Sequence, residues 1–117
     1  MTEPDVYEKF VKPLCRDEKM FVMRVEQPSV PDVYMTKDNN VLWCELKCVS
    51  LTRNLIKPAW RVGQLAWIRR HKSYGSDNVC LILYYDGGVY FLPPQENYTQ
   101  EELVCRKDYY LKMLNRI

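Results

Sequence analysis

Two fragments of this sequence set groups capable of polar chemistry inside apolar runs: Val30-Pro31-Asp32-Val33-Tyr34 and Trp43-Cys44-Glu45-Leu46-Lys47. In a strand, residues two apart share a face. Glu45 and Lys47 are therefore expected to project together with Trp43, away from the core. Cys44, Leu46 and Cys48 project to the opposite, apolar face. The turn at Asn39-Asn40 folds the preceding strand back antiparallel, so that Asp32 can meet Glu45 across the ladder. Two carboxylates are the oxygen donors that hard Mg²⁺, or Mn²⁺ in its place, accepts while keeping waters for a substrate. The carbonyl of Leu46 could add a third protein oxygen. A metal held there would polarise a phosphoryl oxygen and lower the pKa of a bound water. Lys47 would orient or activate that water and steady charge on the phosphate. The chemistry this predicts is metal-assisted cutting of a phosphodiester. The spelling alone is cheap, because Pro4-Asp5 and Asp17-Glu18-Lys19 repeat parts of it outside any convincing strand. What sets the first pair apart is its place on consecutive apolar strands.

The elements that must position these residues follow from periodicity and punctuation. Thr2 to Arg16 reads as a helix, with Thr2 as cap and Pro4 in the first turn. Glu3 and Asp5 lie at the positive end of its dipole. Val6, Phe10 and Leu14 recur on one face, widened by Val11. Met20 to Val25, Pro31 to Met35 and Val41 to Val49 read as strands, with turns at Gln27-Pro28-Ser29 and Lys37-Asp38-Asn39-Asn40. Pro58 suits the first turn of a helix running to Lys72. Val79 to Tyr85 is an apolar strand, and Asp86-Gly87-Gly88 turns it into Val89 to Leu92. Thr99-Gln100-Glu101-Glu102 spells a capping box opening a last helix, with Leu103, Tyr110, Leu111 and Leu114 as its inner face. The order α-β-β-β-α-β-β-α describes a sheet flanked by helices.

At 117 residues the chain is expected to form one domain, residues 1–117. No apolar run approaches the roughly 18 residues of a membrane span. The N-terminus lacks the basic-then-apolar order of a secretory signal. Five cysteines are read as reduced thiols of a cytoplasmic protein. Cys44 and Cys48 have a spacing that zinc can use, but no second Cys/His pair follows. The net charge of +2 conceals an asymmetry. Between Glu45 and Asp77 there is no acidic residue, while Lys47, Arg53, Lys57, Arg61, Arg69, Arg70 and Lys72 all fall there. A basic segment beside a carboxylate cluster suits a polyanion held against a metal. It also suits a solvated helix face. Trp60, Gln64, Trp67 and His71 would fall on one stripe of the second helix. The tryptophans read as ordinary packing and His71 as a boundary residue or phosphate contact. The tyrosines Tyr84, Tyr85 and Tyr90 read as core and sheet-edge residues.

Pro31-Asp32, Glu45-Leu46-Lys47 and the helix with Gln64-Leu65-Ala66-Trp67 resemble the PD-(D/E)xK nuclease superfamily. Over Val6 to Leu92 the chain is most similar to small phage and archaeal Holliday junction resolvases and to VRR-Nuc nucleases. The resemblance implies an α/β (α+β) restriction-endonuclease-like core with a mixed sheet. It adds Glu8 as an acid from the N-terminal helix and Gln64 as a helix glutamine near the site. The implied catalytic set is Glu8, Asp32, Glu45, Lys47 and Gln64. Asp32, Glu45, Leu46 and Glu8 would serve the metal, and Arg24, Arg53, Lys57 and Arg61 the DNA. Relatives often carry a glycine before Pro-Asp, where this chain has Pro28-Ser29-Val30. The function implied is a Mg²⁺-dependent endonuclease resolving Holliday junctions, with phage origin suspected from compact size. A flap- or nick-cutting VRR-Nuc enzyme and an inactive nucleic-acid-binding module of the same fold are the alternatives. Paired symmetric cuts would suit a homodimer on branched DNA. The hairpin Val79 to Leu92 or the Tyr109-Tyr110-Leu111 helix could form its interface.

Overall fold

The computed structural model describes residues 1–115. Thr2 opens the first helix with a reciprocal cap. Its hydroxyl accepts the Asp5 N–H at 3.3 Å, and the Asp5 carboxylate accepts the Thr2 N–H at 3.0 Å. The helix runs as α1 (Glu3–Val6), a π-helical turn (Tyr7–Val11) and α2 (Lys12–Asp17). The widened turn lies just before Pro13, whose missing N–H interrupts the regular ladder.

Five strands form one sheet in the order β1-β2-β3-β4-β5: β1 (Phe21–Arg24), β2 (Val33–Lys37), β3 (Asn40–Val49), β4 (Val79–Tyr85) and β5 (Gly88–Leu92). The first three make an antiparallel meander. Asp38 and Asn39, with φ of 51° and 68°, close the β2–β3 hairpin in the left-handed region that such tight turns require. β3 and β4 run parallel, which demands a crossover, and α3 (Gln64–Ser73) lies within it. β4 and β5 return as an antiparallel hairpin. A short 3₁₀ turn (Gln100–Glu102) and α4 (Lys107–Leu114) follow. The mixed sheet with flanking helices is thus present as expected.

The N-terminal helix and α4 cover one face. Val6, Val11 and Cys15 pack there with Cys44, Leu46, Ile82, Tyr110 and Leu114. On the other face Leu81, Leu83 and Leu92 pack with Ile56 and Tyr98 from the connecting segments. Glu45 and Lys47 belong to this second face.

Three expectations are corrected. The second helix begins at Gln64, not Pro58; residues 58–63 form an irregular strap, and Gly63 turns it at φ +89°. Trp60 is therefore off the helical stripe. The capping box is real but closes only the 3₁₀ turn, and Leu103 packs with the second cluster instead of along α4. Glu45 and Lys47 do not point away from the core; both are buried. Within the two stretches that could form a dimer interface, β4 is paired on both sides while β5 stands at the sheet edge, and Tyr110 and Leu111 are buried while Tyr109 is exposed.

Candidate active site

The β2–β3 register pairs Val33 with Cys44 and Tyr34 with Trp43. Continued by one residue, it sets Asp32 opposite Glu45. Asp32 stands just before β2, where its carbonyl still accepts the Val25 N–H at 2.7 Å. Its carboxylate turns toward β3 and accepts the Leu46 N–H at 3.1 Å. The N–H and C=O of one strand residue face the same side. The Leu46 carbonyl therefore looks into the gap left where β2 has not yet begun, beside Asp32.

Glu45, Lys47 and Gln64 are 1%, 4% and 5% exposed, and they form one connected group. The Gln64 amide donates to Glu45 Oε1 at 3.0 Å. Gln64 Oε1 accepts from Lys47 Nζ at 3.0 Å and from the Arg61 N–H at 2.7 Å. Lys47 Nζ also donates to the Ala59 carbonyl at 2.8 Å and lies 3.7 Å from Glu45 Oε1. It sits 5.5 Å from the centre of the Trp60 ring. An ammonium has three N–H bonds to satisfy. Here three oxygens surround it, and a desolvated cation over an indole gains about 2 kcal/mol more.

Burial pushes the Glu45 carboxyl up to about 9. A hydrogen bond and the charge of Asp32 push the same way, Lys47 opposes them, and the Glu3 charge adds to the rise. Two neighbouring carboxylates in a dry site resist joint ionisation. A proton resolves that conflict, and so does a cation. The donor set of Asp32, Glu45 and the Leu46 carbonyl, all oxygens, fits a hard divalent ion. Among the described residues no cluster of three or more His, Cys, Asp or Glu side chains exists that would cage an ion alone.

A groove of about 580 Å³ opens beside this group, lined by Arg24, Asp32, Arg61 and Gln64 among others. The Arg24 guanidinium lies 5.4 Å over the Tyr7 ring. Its Nε is the one buried side-chain polar atom without a hydrogen-bond partner among the described residues. Buried polar groups are ordinarily satisfied, so this N–H suits an acceptor arriving from outside.

The structure thus brings together Asp32, Glu45, Leu46, Lys47 and Gln64, with Arg24 and Arg61 on the groove. It leaves Glu8 apart: that carboxylate is exposed and held by Lys12 Nζ at 3.1 Å. Arg53 and Lys57 are exposed on the segment leading to the strap. His71 stacks on Trp67, with centroids 4.9 Å apart, and its Nε2 lies 2.9 Å from Asn78 Oδ1. It is a boundary residue rather than part of the group. The five cysteines are free; Cys44 and Cys80 Sγ lie 3.3 Å apart in the core.

Sequence reasoning read Trp60 as ordinary packing and gave no sign of the Ala59 carbonyl. A backbone acceptor carries no residue signature, so Ala59 had no signal. The position where relatives often have glycine also has an answer. Ser29 takes a φ of +69°, the backbone state glycine favours.

No family model matches the chain, and no curated protein matches it. Among solved structures it is similar to the Holliday junction resolvase Hjc of Archaeoglobus fulgidus, an archaeal hyperthermophile. The TM-score is 0.52 at 14% identity, covering 79% of this chain and 89% of that one. The fold is that of the restriction-endonuclease-like core. At that identity the likeness is one of fold, and the chemistry must be argued from the residues.

Proposed function

We propose that this chain is a divalent-metal-dependent, structure-selective DNA endonuclease acting as a Holliday junction resolvase. The observation that carries the reading is the gathering of Asp32, Glu45, Lys47 and Gln64 on one sheet face, at the mouth of a groove lined by Arg24 and Arg61. Asp32, Glu45 and the Leu46 carbonyl would hold Mg²⁺, with Mn²⁺ as substitute. The ion supplies Lewis acidity and a water of lowered pKa. Lys47 offers a positive charge to the attacked phosphate, and Gln64 keeps Glu45 and Lys47 in register. Arg24 and Arg61 hold the neighbouring backbone as charged donors to phosphate. Glu8 would have to release Lys12 before joining the set.

The likeness in fold to Hjc supports the junction as substrate over a flap or a nick. Symmetric cutting of two strands favours a two-fold dimer. The test is incubation of the purified protein with a four-way junction, a flap and a linear duplex, in Mg²⁺ and in EDTA. Paired nicks on the junction that vanish with EDTA are expected. Metal-dependent cutting of the flap alone would favour the VRR-Nuc reading. No metal-dependent cutting of any substrate would leave a binding module.

A further inference from the structure

We infer that Trp60 is a positioning residue for Lys47, clamping the lysine ammonium between its indole face and the Ala59 carbonyl. The inference rests on the reading of Lys47 as the charge offered to the phosphate, and it adds a residue which that reading does not contain. A helix from Pro58 would set Trp60 one turn before Gln64; the irregular strap instead places its ring centre 5.5 Å from Lys47 Nζ.

The strap carrying Trp60 is irregular, yet it is tied down at every step. Ile56 exchanges both backbone hydrogen bonds with Tyr98, at 2.8 and 2.9 Å. The Trp60 N–H bonds back to the Pro58 carbonyl at 2.8 Å, which turns the Ala59 carbonyl toward Lys47 Nζ. The Trp60 indole N–H donates to the Gln95 carbonyl at 2.9 Å. That bond fixes the ring plane against Lys47, 5.5 Å from Nζ. Beyond it, the Arg61 N–H locks onto Gln64, and the Val62 carbonyl accepts from Ser29 Oγ at 3.3 Å.

The geometry answers a need of the site. A lysine has four rotatable side-chain bonds, and its ammonium is a point charge with no preferred plane. Beside a reacting phosphate it must be held in one place, because small misplacements are costly to a reaction that depends on orientation. Gln64 and Glu45 approach Lys47 only from the helix and from its own strand. From the strap side the Ala59 carbonyl accepts from Nζ at 2.8 Å and the Trp60 ring centre lies 5.5 Å away. Trp60 also packs against the second core cluster, and a buried indole N–H ordinarily finds an acceptor; what sets this ring apart is the lysine ammonium 5.5 Å from its centre.

The test compares wild type, Trp60→Phe and Trp60→Leu, with folding checked by circular dichroism and thermal melting. Two readouts are taken: kcat and KM on a four-way junction in Mg²⁺, and the rate at which Lys47 is acylated by an amine-reactive reagent, followed by mass spectrometry. Trp60→Leu is expected to lower kcat about tenfold to a hundredfold with KM within about twofold. It should also speed Lys47 acylation at least about tenfold. Trp60→Phe keeps a ring but loses the bond to Gln95, and it should fall between the two. If Trp60→Leu does not fold, the kcat deficit and raised acylation of Trp60→Phe decide the matter. A folded Trp60→Leu, or Trp60→Phe where only that variant folds, with wild-type kcat and wild-type acylation overturns the inference. So does a rise in KM alone, which would make Trp60 a DNA contact. If wild type cuts nothing, the proposed function fails by itself, and the acylation rates still decide whether Trp60 holds Lys47.

Discussion

Glu45 carries a conflict between burial and charge that defines how the site should respond to pH. Its ordinary value of 4.5 applies in the unfolded chain, and burial raises the folded value to about 9. Between those limits the folded protein holds a proton that the unfolded chain has lost. Stability from this group is therefore full below about 4.5 and drains away as pH rises toward 9. The steepest slope a single such group allows is about 1.4 kcal/mol per pH unit. Denaturant melts of metal-free protein from pH 5 to 9 should show that decline. Glu45→Gln should flatten it, and parallel curves for the two proteins would contradict the assignment. Mg²⁺ should restore wild-type stability at the alkaline end, since the cation replaces the proton. For activity, Glu45→Gln is expected to abolish cutting while leaving junction affinity within about threefold in a gel-shift assay, because a neutral amide removes a metal ligand and adds no clash. Retained cutting would mean the metal sits elsewhere.

The strap between β3 and α3 is the element on which the arrangement turns. Gly63 ends it with φ +89°, and a side chain there would collide with Ser29 Oγ. Gly63→Ala is expected to cost about 1–3 kcal/mol, as left-handed non-glycine positions do. It should also impair cutting, because Arg61 and Gln64 flank the turn. A variant with unchanged melting midpoint and turnover would show that the loop absorbs the methyl group. How much of this was legible varies by element. The strands were readable because period-two alternation and left-handed turns at Asp38 and Asn39 leave direct marks in residue type. Phase alone placed Glu45 with Lys47 and opposite Leu46. The strap was not readable, since Pro58 suits a helix start equally well and the contacts that hold residues 58–63 open come from Lys47, Ser29 and Gln95, far off in sequence. Burial of Glu45 and Lys47 was missed for the same reason: strand phase says which face a side chain takes, and not what later covers it. Glu8 was suggested by resemblance, and its placement depends on the pitch of a helix that widens before Pro13.

For the molecule as a whole, charge and assembly decide how it would engage DNA. Arg24 and Arg61 stand on the groove, and each phosphate contact removed should lower the salt dependence of binding. Arg24→Ala and Arg61→Ala are each expected to reduce the slope of log affinity against log salt by about 1, measured in EDTA to prevent cutting. A slope identical to wild type would remove that arginine from the interface. Light scattering should give a mass twice the 14.0 kDa of the chain if a dimer makes the paired cuts. Phe21 and Met23, exposed on the edge strand β1, are apolar surface that such a partner could cover. The stitching of the strap to Gln95 and Tyr98 also bears on how the protein comes into being. All the proposed reacting groups lie at or before Gln64, but the clasp that steadies them is made some thirty residues later. During synthesis the ribosome would release the whole chemical apparatus first and its fastener afterwards. A ribosome-stalled chain whose C-terminal tether keeps Gln95 inside the exit tunnel should therefore leave Lys47 open to acylation, and a tether long enough to bring Tyr98 out should close it. Cutting ability would then be withheld until that later segment is in place.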